Sequence, residues 1–303
     1  MTLPFAAADA RASASARLWI AMMPMVFVIF WSTGFIVAKF GLPYAPPLTF
    51  LLLRFGGVAL VLLPMVLVMR APWPVGRVWD IALAGVLVHA GYVGGVWCAI
   101  RLGMPAGLAA LIVGMQPVLT ACAAPLVGEK VQPRQWLGLL LGLGGVALVV
   151  SNKISVIGLS GASIGLCLLA LVSITVGTLY QKRRCAHFDL RTGTLIQYVA
   201  SAAIMLPLAV HFEHLDLALS AVQWTPRFVG ALLWAIFVLS IGAVFLLFAL
   251  IRKSAATSVT SLLYLTPPTT ALMAWAMFGE VFSLTGLAGM LLAVAGVAFV
   301  VKK

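Results

Sequence analysis

Long apolar runs separated by short polar connections form the pattern of residues along the chain. We number the ten runs as spans 1 to 10: 18–38, 48–69, 78–100, 104–126, 133–150, 159–181, 192–211, 227–250, 255–278 and 284–301. Such a run is typical of a transmembrane helix, because about 20 residues at a rise of 1.5 Å each cross the hydrocarbon core. The pattern therefore predicts an all-α integral membrane protein with ten transmembrane helices in the lipid bilayer.

The composition agrees with a membrane protein, and the distribution of charge predicts its orientation. Of 303 residues, 63% are hydrophobic and 9% are charged, whereas about 25% are charged in a soluble protein. Fourteen Lys and Arg residues fall on the side of the N-terminus and four on the other. Because positive loops stay in the cytoplasm, both termini are predicted to be cytoplasmic, with 1–17 a flexible tail. Topology then explains the net charge of +12, and no nucleic-acid partner is predicted.

The second half of the chain repeats the first. At a fixed offset of 151, residues 117–150 match 268–301 at about a third of positions, including the Gly-Glu pairs at 128–129 and 279–280. Earlier in the chain the offset is 143, so that Lys39 matches Lys182. With five spans each, the halves 18–151 and 152–303 are predicted to be inverted repeats. Inverted repeats are typical of secondary transporters, whose substrate site lies near the bilayer midplane.

The repeated turns also carry a resemblance to a known family. Glu129 and Glu280 stand at the turns before spans 5 and 10, where a carboxylate favours the start of a helix, and we favour this structural role over substrate contact. These turns and the Gly-rich spans 5 and 10 resemble the EamA-type exporters of the drug/metabolite transporter superfamily, and among them the bacterial aromatic amino acid exporters. The resemblance implies a bacterial inner-membrane transporter that exports aromatic and other neutral amino acids by alternating access. It places spans 5 and 10 at the periphery of a central cavity.

Polar and aromatic side chains at depth identify the candidate substrate site, since lipid cannot satisfy polar groups. His89 and Tyr92, three residues apart, share one face of span 3. The candidate substrate-binding residues are His89, Tyr92, Gln116, Tyr264, Trp31, Tyr198, Ser173, Trp234 and Arg54. Two alternatives stay open: a Ser hydroxyl can bond its own backbone one turn back, and a Trp side chain can anchor the helix at the membrane interface.

Three further features have two interpretations each. Arg54, inside span 2, either extends to the outer interface, which we favour, or presents its guanidinium to a substrate carboxylate. Pro117, Pro267 and Pro268 either act as hinges that free backbone carbonyls or fix permanent kinks. The small residues of spans 5 and 10 either pack helices within the chain, which we favour, or form a dimer face. The protein is therefore expected to be a monomer or a weak homodimer.

The charges narrow the transport mechanism. No Asp or Glu occupies the middle of a span, and this argues against proton-coupled export of cationic drugs, because such export depends on a buried carboxylate. His89 is the only group in the middle of a span that titrates near neutral pH. Transport is therefore either coupled to protons through His89 or facilitated by the substrate's own gradient, which we favour.

Two other functions remain compatible with parts of the sequence. An exchanger of phosphorylated metabolites or nucleotide sugars shares the architecture, but its site needs converging Lys and Arg residues. An intramembrane enzyme needs a nucleophile–base pair or a ligand cluster, and the only candidate is the run HFEHLD at 211–216, beside the outer surface. The four cysteines have no metal-ligand spacing. We predict a small-molecule transporter with no enzymatic activity, metal or cofactor.

Overall fold

The computed structural model describes residues 14–104, 109, 112–151, 160–185, 188–253, 256–278 and 284–301. These ranges are helical and contain no strand, so the all-α class is confirmed for them. We label the segments that correspond to spans 1 to 10 as α1 (Ala14–Gly41), α2 (Pro47–Val68), α3 (Val78–Arg101), α4 (Gln116–Ala123), α5 (Pro133–Ser151), α6 (Gly161–Arg184), α7 (Leu190–Glu213), α8 (Pro226–Trp234, Ala235–Ala243 and Val244–Lys253), α9 (Ala256–Ser261, Leu262–Leu265 and Thr266–Phe278) and α10 (Leu284–Val301). Glu280 and most of the predicted N-terminal tail lie outside the described residues.

Among the residues that the structure describes, five helices are long and apolar enough to cross a membrane. They are Pro47–Val68, Val78–Arg101, Gly161–Arg184, Leu190–Glu213 and Pro226–Arg252. Two shorter apolar stretches, Met22–Ala38 and Leu284–Val300, lie within α1 and α10. The structure therefore supports a helical membrane protein, and the number of ten spans stays a prediction.

Helices α5 and α10 pack against each other through their small residues. A Cβ atom at Gly138 would lie 2.6 Å from the carbonyl oxygen of Gly296, and one at Gly145 would lie 2.4 Å from the backbone nitrogen of Ala293. Only small residues allow two helix backbones to approach so closely. This glycine face is occupied within the chain, so the structure supports the packing interpretation and gives no basis for a dimer through the same face.

Helices α2 and α7 are joined at both ends by polar contacts. The Glu213 carboxylate, at the C-terminus of α7, accepts hydrogen bonds from the backbone N–H groups of Leu48 (2.8 Å) and Thr49 (2.7 Å) at the start of α2. A carboxylate is favoured there by the unpaired N–H groups and the positive end of the helix dipole. At the other end, the Thr192 hydroxyl donates to the Pro72 carbonyl over 2.9 Å.

Glu213 belongs to the run 211–216, which the sequence analysis considered as a candidate cluster of metal ligands. The carboxylate that such a cluster would use already caps α2. Within the ranges described above, no group of three or more His, Cys, Asp or Glu residues is arranged to hold a metal ion. Glu213 is therefore assigned a structural role in fastening α7 to α2.

Candidate substrate cavity

A cavity lies between α1, α2, α3 and α8. Its wall includes Trp31, Arg54, His89, Tyr92, Trp97 and Leu239. The cavity volume that is open to the centres of water molecules is about 80 Å³. This exceeds the roughly 10–15 Å³ that one water molecule needs. The lining of α1 and α3 comes from the middle and the C-terminal parts of these helices, so the cavity occupies one end of the bundle.

Two π-helical segments widen the helices that face this cavity. In α3 the segment is Val86–Gly94, which contains His89 and Tyr92, and in α8 it is Ala235–Ala243. A π-helix bonds each N–H to the carbonyl five residues earlier and is frequent at functional sites. The sequence analysis predicted plain α-helices here, so the π-helical geometry is a finding of the structure.

Arg54 points into the protein. Its side chain is 7% exposed, and its Nε donates a hydrogen bond of 2.7 Å to the hydroxyl of Ser240 in α8. The Tyr198 hydroxyl donates to the carbonyl oxygen of Ser240 over 3.3 Å. This geometry does not fit the favoured interpretation, in which the guanidinium extends to the outer interface, because Ser240 holds it within the bundle. It fits the alternative, in which the guanidinium faces a substrate.

Aromatic rings form two stacked pairs beside Arg54. The imidazole of His89 stacks on the ring of Tyr198 with a centroid distance of 4.3 Å and an angle of 18° between the planes. The rings of Trp31 and Tyr92 are nearly parallel, at 7°, with a centroid distance of 6.4 Å. The first pair is buried, at 3% and 0% exposure, while Trp31 and Tyr92 both line the cavity. The wall therefore offers a flat aromatic surface next to a cation.

Contacts around the cavity recur at positions related by the two sequence offsets. Arg54 contacts Ser240. In the other half of the chain, Gln197 is equivalent to Arg54 and His89 is equivalent to Ser240, and these two residues also contact each other. Gly34 packs on Leu239, and the equivalent Gly177 packs on Val88. In the same way, Gly91 packs on Ser173, and the equivalent Gly242 packs on Phe30. The offsets of 143 and 151 relate each pair to the other. This recurrence supports the proposed two-fold relation between the halves.

Three of the predicted substrate-binding residues lie at helix–helix contacts away from the cavity wall. Gln116, 1% exposed, donates from Nε2 to the Thr178 hydroxyl over 3.3 Å and joins α4 to α6. Ser173 fits against Gly91 of α3. The ring of Tyr264 fits against Gly142 of α5. Each of these side chains is buried in a contact between helices, and a direct contact with substrate stays a prediction.

Trp234 lies on the outside of α8. Its side chain is 47% exposed, and its indole N–H donates to the Thr33 hydroxyl over 3.0 Å. This position suits the membrane-anchor interpretation. Of the nine predicted residues, the structure thus brings Trp31, Arg54, His89 and Tyr92 together on the cavity wall, with Tyr198 directly behind them.

The three predicted hinge prolines stand at helix starts. Pro117 is buried and occupies the first turn of Gln116–Ala123, and Pro268 is buried in the first turn of Thr266–Phe278. Pro267 belongs to the same turn, and its side chain is outside the described residues. A first helical turn tolerates proline because its N–H groups have no partner in the helix. Pro117 therefore marks the start of α4, and Pro267 and Pro268 mark the start of the last segment of α9; a hinge movement there stays a prediction.

The sequence analysis missed Ser240 and Trp97. Ser240 is the single polar residue in an apolar stretch of span 8, and it was overlooked because a lone Ser usually bonds its own helix. Trp97 is 6% exposed and follows Tyr92 by five residues. It lies in the α-helical segment Gly95–Arg101, one turn after Val93 on the face that lines the cavity, so helical spacing from His89 could have identified it.

The chain matches known proteins over most of its length. The model of the EamA-like transporter family matches residues 17–151 and 161–302. The chain is similar to the uncharacterized transporter YvbV of Bacillus subtilis (strain 168), 30% identical over 93% of this chain and 92% of the relative. It is also similar to the probable amino-acid metabolite efflux pump of Salmonella typhimurium (strain LT2), 28% identical over 90% and 92%. A crystal structure of a protein shares the fold, with a TM-score of 0.75 and 18% identity over 92% of this chain and 96% of the other.

Proposed function

Because the chain belongs to the EamA-like transporter family, we propose that it exports amino acids and related metabolites across the bacterial inner membrane. The observation that carries this proposal is the cavity wall, where the aromatic rings of Trp31 and Tyr92 adjoin the guanidinium of Arg54. Such a wall suits small molecules with an apolar or aromatic side chain and a carboxylate. The efflux-pump name of the Salmonella relative agrees with this class of substrate.

Alternating access around this cavity is the proposed mechanism. The cavity lies at the C-terminal ends of α1 and α3, and the opposite end of the bundle is closed by polar contacts such as Lys182 Nζ to the carbonyl oxygen of Ile251, 2.7 Å. Two inverted repeats can exchange these arrangements by rocking around a fixed site. The charge distribution identifies the closed end as cytoplasmic, and the cavity would then open to the outside.

Exchange of phosphorylated metabolites is the weaker proposal. A phosphate ester needs several converging cations, and Arg54 is the only Lys or Arg among the described residues of the cavity wall. Lys182 and Arg252 contact backbone carbonyls at the closed end. A monoanion or a neutral solute therefore fits the cavity better than a phosphate ester.

Counterflow with purified protein in liposomes tests the proposal. Liposomes loaded with aromatic amino acids should accumulate labelled phenylalanine, whereas liposomes loaded with sugar phosphates should not. Trp31→Ala should lower the rate by about tenfold or more, as expected when an aromatic contact worth about 1.4 kcal/mol is lost. Trp234→Ala is the matched control, because its ring lies outside the cavity, and it should stay within about twofold. Exchange of phosphate esters without any amino acid or related acid would refute the proposal.

Repeating the assay with an imposed pH gradient separates the two energy sources. A facilitated exporter is expected to transport at the same rate with and without the gradient. A rate that follows the gradient in the wild type and loses this dependence in His89→Gln would assign proton coupling to the buried imidazole.

A further inference from the structure

Arg54 brings a positive charge into the cavity wall with a neutral side chain as its hydrogen-bond partner. The side chain is buried. Its Nε donates to the Ser240 hydroxyl, and the guanidinium also contacts the Tyr198 hydroxyl, so two neutral partners engage a group with five N–H donors. The ionisable side chains that face it are Tyr198, Tyr92 and His89, and none of them carries a negative charge at neutral pH. A buried charge is costly unless an opposite charge pairs with it. The cavity therefore presents a cation that a bound anion would neutralise.

The carboxylates that the structure describes are engaged elsewhere. The contact pairs are Asp80 with Tyr180, Glu129 with Lys182, Asp189 with Arg191, Glu213 with Thr49, and Asp216 with Ser220. None of these five acidic residues belongs to the cavity wall. Within the described part of the chain, the charge of Arg54 is therefore left for a ligand to balance.

The same wall offers no negative charge to an ammonium group. Its other polar side chains are the imidazole of His89, the hydroxyl of Tyr92 and the indoles of Trp31 and Trp97, and an indole N–H can only donate. In a free amino acid, the ammonium group and the carboxylate share one carbon atom. A carboxylate on Arg54 would place that ammonium close to the guanidinium, where the two positive charges repel each other. The wall therefore favours a carboxylate without a neighbouring ammonium group.

We propose that the preferred substrates are monocarboxylate anions that lack a free ammonium group. Amino-acid derivatives of this class are the 2-oxo acids, the 2-hydroxy acids and the N-acylated amino acids with aromatic or apolar side chains. The carboxylate binds Arg54, and the side chain lies against Trp31 and Tyr92. This inference rests on the proposed function and narrows its substrates to monocarboxylate anions.

A matched series of solutes tests the inference on the wild-type protein. Purified protein in liposomes is assayed at pH 7.5 with phenylalanine, N-acetylphenylalanine, 3-phenyllactate and phenylethylamine, and permeation into protein-free liposomes is subtracted. We expect both anions to half-saturate transport at concentrations about tenfold or more below phenylalanine. Phenylethylamine should not be carried.

The series separates failure of this inference from failure of the proposed function. If phenylalanine is carried as well as the two anions or better, the inference is wrong and amino-acid export stands. If phenylethylamine is carried, the inference is wrong, and the result for phenylalanine decides whether amino-acid export stands. If none of the four solutes is carried, both are wrong.

Variants of Arg54 then test the residue itself. In Arg54→Gln, the half-saturating concentration of N-acetylphenylalanine should rise about tenfold or more, and that of phenylalanine should rise less. Arg54→Lys keeps the charge and should restore part of the preference for the anion. The control is Arg227→Gln, an exposed cation at the start of α8, which should leave the preference unchanged. Equal losses for both solutes would overturn the assignment, and the wild-type series decides if the Arg54 variants do not fold.

Discussion

The two ends of the helix bundle differ, although the repeat supplies both with related segments. At one end, Ile100 of α3 lines the cavity. At the other, the carbonyl oxygen of Ile251 in α8 accepts a hydrogen bond of 2.7 Å from Lys182, and the carbonyl oxygen of Phe188 accepts one from Arg252. The offset of 151 relates Ile100 to Ile251 and Arg101 to Arg252. Equivalent segments thus adopt an open arrangement at one end and a closed one at the other.

This difference indicates what the opposite state of the transporter would look like. The offset of 143 makes Lys39 the counterpart of Lys182, and the offset of 151 makes Glu280 the counterpart of Glu129. The Lys39 side chain and Glu280 lie outside the described residues. If the halves exchange conformations, we expect Lys39 to bind the Ile100 carbonyl and close the cavity end while Lys182 releases Ile251. Four substitutions test this comparison, with Cys185 as a native reporter at the closed end.

Cys185 is suited to report on the closed end because it is buried and unreactive there. Its side chain is 3% exposed. Burial and, to a smaller extent, the nearby Asp80 carboxylate together raise the pKa of the thiol to about 11. Because the thiolate is the reactive form, labelling by a maleimide at pH 7.5 should be slow. Opening this end admits water, which lowers the pKa, raises the thiolate fraction and speeds labelling. The assay uses a background in which Cys98, Cys122 and Cys167 are serine.

Lys182→Met should have the largest effect. It removes a charge-assisted hydrogen bond and the contact with Glu129 at 4.0 Å. A hydrogen bond to a charged group contributes about 1.5–3 kcal/mol, so the closed end should open about tenfold or more often. The measurement is the rate of Cys185 labelling, which should rise by that factor. Lys182→Arg keeps a donor and should label slowly. An unchanged rate in Lys182→Met would remove the proposed role of this contact.

Lys39→Met should change the same reporter in the opposite direction. If Lys39 closes the cavity end in the other state, its loss disfavours that state and keeps the Cys185 end closed. We expect Cys185 labelling to slow by several-fold, up to about tenfold. Combining Lys39→Met with Lys182→Met should return the rate close to that of the wild type. Faster labelling in Lys39→Met would contradict the equivalence of the two lysines.

Tyr180→Phe should have an intermediate effect. The Tyr180 hydroxyl donates to the Asp80 carboxylate and connects α6 to the start of α3. One such bond contributes about 1 kcal/mol, which corresponds to roughly a fivefold increase in Cys185 labelling. Asp80→Asn tests whether the two side chains act as a pair. If they do, the double variant of Tyr180→Phe and Asp80→Asn should label at Cys185 no faster than the more affected single variant. Additive effects would show that the two side chains act independently.

The sequence predicted where several helices lie and which polar residues are candidates for the site. Hydropathy and the repeat located α2, α3 and α6 to α8, since apolar runs report the removal of side chains from water. The polar residues His89, Tyr92 and Arg54 were found because charged and hydrogen-bonding groups at depth are costly in lipid. These signals depend on composition along a single helix, and they were sufficient to identify one wall of the cavity.

The partners of these residues could not be predicted in the same way. Gln116 and Tyr264 are as deep and polar as His89, yet they face α6 and α5. Hydropathy does not specify which neighbouring helix a polar side chain meets, and the π-helical turn that holds His89 changes the spacing of its face. The direction of Arg54 was misjudged for a related reason, because its partner, Ser240, lies 186 residues away in the sequence.

Of the four substitutions, Arg77→Gln should have the smallest effect on the rate of Cys185 labelling. The Arg77 guanidinium donates to the Arg184 carbonyl oxygen over 2.7 Å, but the contact is exposed to solvent. Exposed contacts of charged side chains contribute about 0–1 kcal/mol, because water competes for both partners. We therefore expect Cys185 labelling to change by less than about twofold. An effect as large as that of Lys182→Met would mean that exposed contacts hold the closed end as firmly as Lys182 does, and the equivalence with Lys39 would lose its basis.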